Sequence, residues 1–207
     1  MKKILFIEDR PARQSQFLNS EQIKELKELN NLEMPQEDKC SEWISDINKK
    51  NKEVDLSDYN LIIIHRSSLN QDGLKNLYSS CEKKKIDLIL FSGGLSQITY
   101  QNEKFEILSI NSKDFYSERL LPFIKKYIDN KTNSLPELIY GDRWEIALLL
   151  QYRLLKTKYE LEEEGVVKIR LEDELNNLKK SCGLEELEEK VEDEIVNKKI
   201  DKLIAAI

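Results

Sequence analysis

The chain is short of the residues from which many small-protein sites are built. One histidine, His65, and three cysteines, Cys40, Cys81 and Cys182, stand among 207 residues. A single imidazole leaves little material for a histidine-based metal site. Three thiols, odd in number and far apart, argue against a disulfide framework or a zinc cluster. Four prolines and six glycines leave no low-complexity tract, and no internal repeat is visible. No apolar run approaches the roughly 20 residues of a membrane-spanning helix; the longest, such as Asn60-Leu-Ile-Ile-Ile64, are strand-sized. The opening MKKILFIEDR holds an apolar run too short for a secretory signal, with acidic residues directly behind it. A cytoplasmic protein with no membrane contact is expected. An excess of positive charge is missing too. The net charge is −6, and residues 142–207 carry 17 acidic against 12 basic residues. No broad electrostatic footprint for nucleic acid exists, and the clusters Lys83-Lys84-Lys85 and Lys125-Lys126 read as solvated helix ends.

What the chain does have is alternation. Residues 3–8 (KILFIE), 60–65 (NLIIIH), 86–91 (IDLILF) and 105–110 (FEILSI) read as strands. The middle two are almost continuously apolar, which suits strands buried on both faces of a parallel sheet. Helical spacing appears between them over 20–31, 40–50 and 72–84, the last with Leu74, Leu77, Tyr78 and Cys81 on one face. Strands alternating with helices imply right-handed parallel crossovers, hence a doubly wound α/β sheet of four or five strands in residues 1–128. Ligands then belong at the carboxyl ends of its strands. No segment between residues 10 and 52 reads as a strand.

Residues 129–141 read as a linker, with the polar stretch DNKTNSLPE at its start, and residues 142–207 as an acidic helical extension. Asp142, with Glu145 three residues on, looks like a helix cap. Trp144, Leu148, Tyr152, Leu155 and Tyr159 share a face, and Gly165 is placed to end that helix. Leu184, Leu187, Val191 and Ile195 form a rough heptad seam among Glu and Lys. An amphipathic seam needs a partner face: another protein, a second copy in a homodimer, or the sheet of the same chain.

The strand ends carry a resemblance. Glu8-Asp9 follows the first strand, residues 59–65 (YNLIIIH) end in His65, and residues 88–93 (LILFSG) end in Ser92-Gly93. Lys113-Asp114-Phe115 precedes Ser117-Glu-Arg-Leu-Leu121, and Gly73 follows Asp72 at a helix start. In this order the segments resemble the receiver domains of two-component response regulators, over residues 2–128. The resemblance implies a flavodoxin-like fold and a pocket of Glu8, Asp9, His65, Ser92 and Lys113. It also places His65 where the family has its phosphate-accepting aspartate, and Asp114 where it has a proline. Receivers hold Mg²⁺ through carboxylate oxygens, and one carboxylate attacks a phosphoryl group. His65 removes that nucleophile and a ligand together. A degenerate pocket follows, with no cofactor, at most weak Mg²⁺ on Glu8 and Asp9, and Lys113 pairing with one of them. Phosphorylation of His65 itself is a sharper alternative; a histidine hydrogen-bonded to Asp9 or Ser92 is the plainer one. The face around Tyr116, Phe123 and Tyr127, which pairs with partners in that family, is either a contact surface or packing.

A second motif competes. Ser92-Gly93-Gly94-Leu95-Ser96 resembles the SGGxDS phosphate loop of ATP pyrophosphatases, with Ser96 in place of the aspartate and on a late strand. The plain reading is a Gly-Gly turn with positive φ. Three functions follow: a non-catalytic regulatory or adaptor protein working through protein contacts, a structural subunit of a larger assembly, or a nucleotide-binding enzyme using that turn.

Overall fold

The computed structural model describes the chain apart from residues 96, 97, 103, 133, 183, 185–188, 206 and 207, together with all but the side chains of 11 and 189–192. Six strands form one sheet among the described residues: β1 (Ile4–Ile7), β2 (Leu32–Glu33), β3 (Leu61–His65), β4 (Asp87–Ser92), β5 (Thr99–Asn102) and β6 (Glu106–Asn111). Their order is β2-β1-β3-β4-β6-β5, parallel throughout except for the antiparallel β5–β6 pair. The expectation of four or five strands falls short at both edges. β2 is two residues long and held by β1 alone, and β5 reads Thr-Tyr-Gln-Asn, with only Tyr100 buried. Neither carries a hydrophobic run.

The central strands bury both faces. Ile4, Phe6, Leu61, Ile63, Ile89 and Phe91 point into one core with Leu26 of α1 (Ser20–Lys27) and Phe123, Ile124 and Tyr127 of α5 (Leu120–Ile128). Leu5, Ile7, Ile62, Ile64, Leu88 and Leu90 point the other way, onto Cys40 and Ile47 of α2 (Glu37–Ile47) and Leu77 and Cys81 of α3 (Gln71–Lys84). Each such aliphatic side chain stabilises the fold by about 1.5–3 kcal/mol when fully buried. The layering is α/β with helices on both faces, compatible with a flavodoxin-like fold. Local signals set the helix starts. Asn19 and Gln22 form a reciprocal cap on α1, and the Asn70 side chain accepts from the Gly73 amide to open α3. Gly73 has a second duty: a Cβ there would sit 2.1 Å from Oδ1 of Asn48, which receives the Asn70 amide.

Residues 129–141 do not run free. Leu135 and Leu138 are fully buried in the first core, the latter on α6 (Glu137–Tyr140). The Glu106 carboxylate at the start of β6 accepts from the Leu135 amide (2.6 Å), the Tyr100 hydroxyl (2.6 Å) and the Ser134 hydroxyl (2.8 Å). Beyond it lie α7 (Trp144–Leu161), α8 (Val166–Ser181) and α9 (Glu189–Ala205). Asp142 does not cap α7. It pairs with Lys126, and Arg143 takes the cap position without a side-chain bond. Gly165 does not end α7 either; at φ +153° it stands immediately before α8. The Ser181 hydroxyl donates to the Tyr100 carbonyl (2.6 Å), so the end of α8 sits against β5 and covers what would be an open sheet edge. Leu149 and Tyr152 of α7 pack with Leu184, Val196 and Ile200 in a third apolar cluster, with Ile195 partly buried beside it. Leu184 and Ile195 thus serve packing within the chain. Leu187 and the Val191 side chain lie outside the described residues. No helix among the described residues is long and apolar enough to cross a membrane.

Candidate functional site

β1, β3 and β4 end side by side because they are neighbours in a parallel sheet, so Glu8-Asp9, His65 and Ser92 emerge at one edge. Glu8 and His65 are buried, and Asp9 is partly exposed. The His65 Nδ1 lies 2.9 Å from the Ser67 hydroxyl and 3.3 Å from Asp9 Oδ1. Its ring edge meets Phe91 beneath it. Burial holds the His65 pKa below its ordinary value, and the Arg13 charge pushes the same way against the pull of Asp9. Oδ1 of Asp9 is buried and makes no hydrogen bond of good geometry.

Arg13 is the inner cation of the cluster, while the more exposed Arg10 stands 3.8 Å from Asp9 Oδ2. The Arg13 Nη1 stands 3.4 Å from Glu8 Oε1 and 3.5 Å from Asp9 Oδ1. It comes from a 3₁₀ turn, Pro11–Gln16, entered through a proline at its first position, where the missing N–H costs nothing. Lys113 does not take that place. It lies exposed on α4 (Ser112–Phe115), and no ion pair joins it to Glu8 or Asp9. The reason is reach: Arg13 is four residues from Asp9 on a turn that faces it, whereas Asn111 caps α4 by accepting from the Lys113 amide, and the Lys113 side chain remains in solvent. On the inner side, the Tyr116 hydroxyl donates to Glu8 Oε2 (2.5 Å). Tyr116 is therefore a buried member of the site, and Phe123 and Tyr127 are core residues; none of the three forms an exposed contact surface.

This arrangement does not fit Mg²⁺. Hard divalent cations want several oxygens in octahedral geometry. Here a guanidinium already faces both carboxylates, the third corner is an imidazole, and no group of three or more His, Cys, Asp or Glu side chains among the described residues is placed to hold a metal.

The Ser92-Gly93-Gly94 turn follows β4 at the same edge. The Gly94 amide donates to Ser92 Oγ (3.4 Å) and the Leu95 amide to the Ser92 carbonyl (3.2 Å). The Asn111 side chain donates to the carbonyls of Gly93 and Leu95. Two amides that a phosphate cradle would offer are thus turned inward. Neither glycine has the positive φ expected of the turn, because carbonyls anchored by Asn111 shape it instead. Ser96 lies outside the described residues.

Burial pushes the Glu8 carboxyl up from 4.5 to about 7, against the lowering effect of the Tyr116 hydrogen bond. A carboxyl whose folded pKa exceeds its unfolded one stabilises the fold in its protonated form. That contribution is complete below the unfolded value and is lost as pH rises through the folded one. His65 acts oppositely: its depressed pKa costs stability as pH falls below 6.5. Glu8→Gln removes the first effect and leaves the second. Between pH 5 and 8 the wild type is expected to lose about 2 kcal/mol relative to Glu8→Gln in urea unfolding. Parallel pH profiles for the two proteins would refute a proton on Glu8.

The site belongs to a mostly parallel α/β sheet with a closed polar cluster at its carboxyl edge. No protein-family profile, curated protein or solved structure matches the chain.

Proposed function

We propose that the chain is a non-catalytic regulatory or adaptor protein acting through protein contacts, built on a receiver-like domain that cannot be phosphorylated on aspartate. One observation carries the reading: at the end of β3, the position of the acceptor in the receiver pattern, stands the buried imidazole of His65, 3.3 Å from Asp9. The strand order β2-β1-β3-β4-β6 supports it, since flavodoxin-like sheets run in this sequence, with β5 as an added edge strand. Arg13 supports it further by supplying within the chain the positive charge that a metal would bring. A domain stripped of its chemistry keeps its fold and its surfaces, and surfaces are what an adaptor uses.

Incubation with acetyl phosphate and Mg²⁺ is expected to leave the intact mass unchanged, and Mg²⁺–ATP is expected to leave the melting temperature unmoved, because a ligand that binds only the native state must raise it. A stable added phosphate on His65 or Asp9 would end the adaptor reading. A melting shift with Mg²⁺–ATP that disappears in Gly94→Ala would move the function to the Ser92 turn.

A further inference from the structure

The inner face of α7 is buried, Leu149 and Tyr152 in the third apolar cluster and Leu148 in the first core. The opposite face is apolar as well. Leu150 is 48% exposed, Leu154 59% and Leu161 79%. With Ala147 and Thr157 they recur at intervals of three and four residues: 147, 150, 154, 157, 161. That is the a/d spacing of a helical seam over two heptads. The Thr157 hydroxyl donates to the Arg153 carbonyl (3.1 Å) and so brings no unpaired donor to the seam. The ridge runs between two neighbours: Asp193 and Asn197 of α9 line a groove with Arg153, Thr157 and Glu160 on one flank, and Glu174 and Asn177 of α8 line a cavity with Gln151, Leu154 and Lys158 on the other, yet Leu150, Leu154 and Leu161 stay exposed between them.

We propose that this ridge docks on the same ridge of a second copy of the chain, with the two α7 helices antiparallel. Charge selects the occupant and the direction. Arg153 and Glu160 flank the seam on one side, Gln151 and Lys158 on the other. Neither Arg153 nor Glu160 has an ion-pair partner among the described residues. In an antiparallel pair, residues on the same flank face each other. With Leu150 of one copy against Leu161 of the other, and Leu154 against Thr157, Arg153 falls opposite Glu160 twice over, and Gln151 opposite Lys158. A parallel pair would set Arg153 against Lys158 of its neighbour, and like charges in register disfavour it. The seam is thus complementary to itself in one direction only, as a two-fold contact requires. The ridge exists whether or not the domain is receiver-like, so the failure of one reading leaves the other standing.

Sedimentation equilibrium of the full chain tests it. A dimer is expected, and Leu150→Glu with Leu154→Glu is expected to give a monomer with an unchanged circular dichroism spectrum, since both positions are exposed. Arg153→Glu alone and Glu160→Arg alone are each expected to weaken the dimer at least about tenfold, and the two together to restore it. A wild type that stays monomeric at every concentration overturns the proposal. So does a dimer indifferent to the leucine substitutions, or a double charge swap that fails to rescue association.

Discussion

Phe91→Ala is expected to cost about 3–5 kcal/mol of stability, the range for removing a buried ring and leaving a cavity behind. Phe91 is wholly buried at the end of β4. Its ring stacks on Phe115 at 4.3 Å between centroids and meets Phe6 and Tyr116 edge-on at 5.8 and 5.5 Å. Such pairs add about 0.5–1.5 kcal/mol beyond area burial, and the three remaining rings, one on β1 and two beside each other at the end of α4, are held by their own backbones and do not close the gap together. The same ring supports the polar cluster, because His65 rests against it at 5.3 Å and Tyr116 carries the hydroxyl that reaches Glu8. Phe91→Ala is thus also expected to flatten the pH dependence that Glu8 imposes. Urea unfolding at pH 5 and pH 8 measures both. A loss below about 1.5 kcal/mol would mean that the rings repack and that the cluster has another foundation.

Glu106→Ala is expected to cost about 2–4 kcal/mol, because it strands the Leu135 amide and takes the shared acceptor from the hydroxyls of Tyr100 and Ser134, which are left with only their 2.8 Å bond to each other. Burial raises the Glu106 pKa even though all three bonds favour the charged form, so the carboxylate is held at a desolvation cost that the donors only partly offset. Its consequence is spatial. Glu106 is the clamp between the sheet and the segment leading to α7, and with it gone, limited proteolysis is expected to cut within residues 129–136 before anywhere in the sheet. Glu106→Gln keeps one acceptor oxygen and is expected to lose about half as much. Equal protease resistance in wild type and Glu106→Ala would show that Leu135 and Leu138 hold the segment by packing alone.

That clamp marks the limit of what could be read along the chain. The stretch DNKTNSLPE has the composition of a solvated linker, yet its own Leu135, and Leu138 just beyond it, are buried. Composition averages over a window, and burial is decided residue by residue through contacts with β6, which begins at Glu106 and so precedes the segment by about 30 residues. The missed strands failed for a related reason. β2 and β5 gain their hydrogen bonds from β1 and β6; with few buried side chains they leave no period of two to find. The four strands that were legible, β1, β3, β4 and β6, carry their own apolar signal, and their order along the chain predicted a mostly parallel α/β sheet.

The site divides in the same way. That Glu8, Asp9, His65 and Ser92 lie along one edge follows from strand ends in a parallel sheet, which sequence order alone can establish. Which cation answers the carboxylates does not follow from it. Lys113 and Arg13 were equal by charge, and the turn beginning at Pro11 gave the place to Arg13. Tyr116, 108 residues from Glu8, reads in the sequence as part of a face with Phe123 and Tyr127, and nothing local shows that its hydroxyl reaches Glu8. Periodic apolar runs declare themselves locally because each residue's burial depends on its own strand or helix. Pairing of charges, hydroxyls and edge strands depends on distances between segments remote in sequence, and those exist only once the chain has folded.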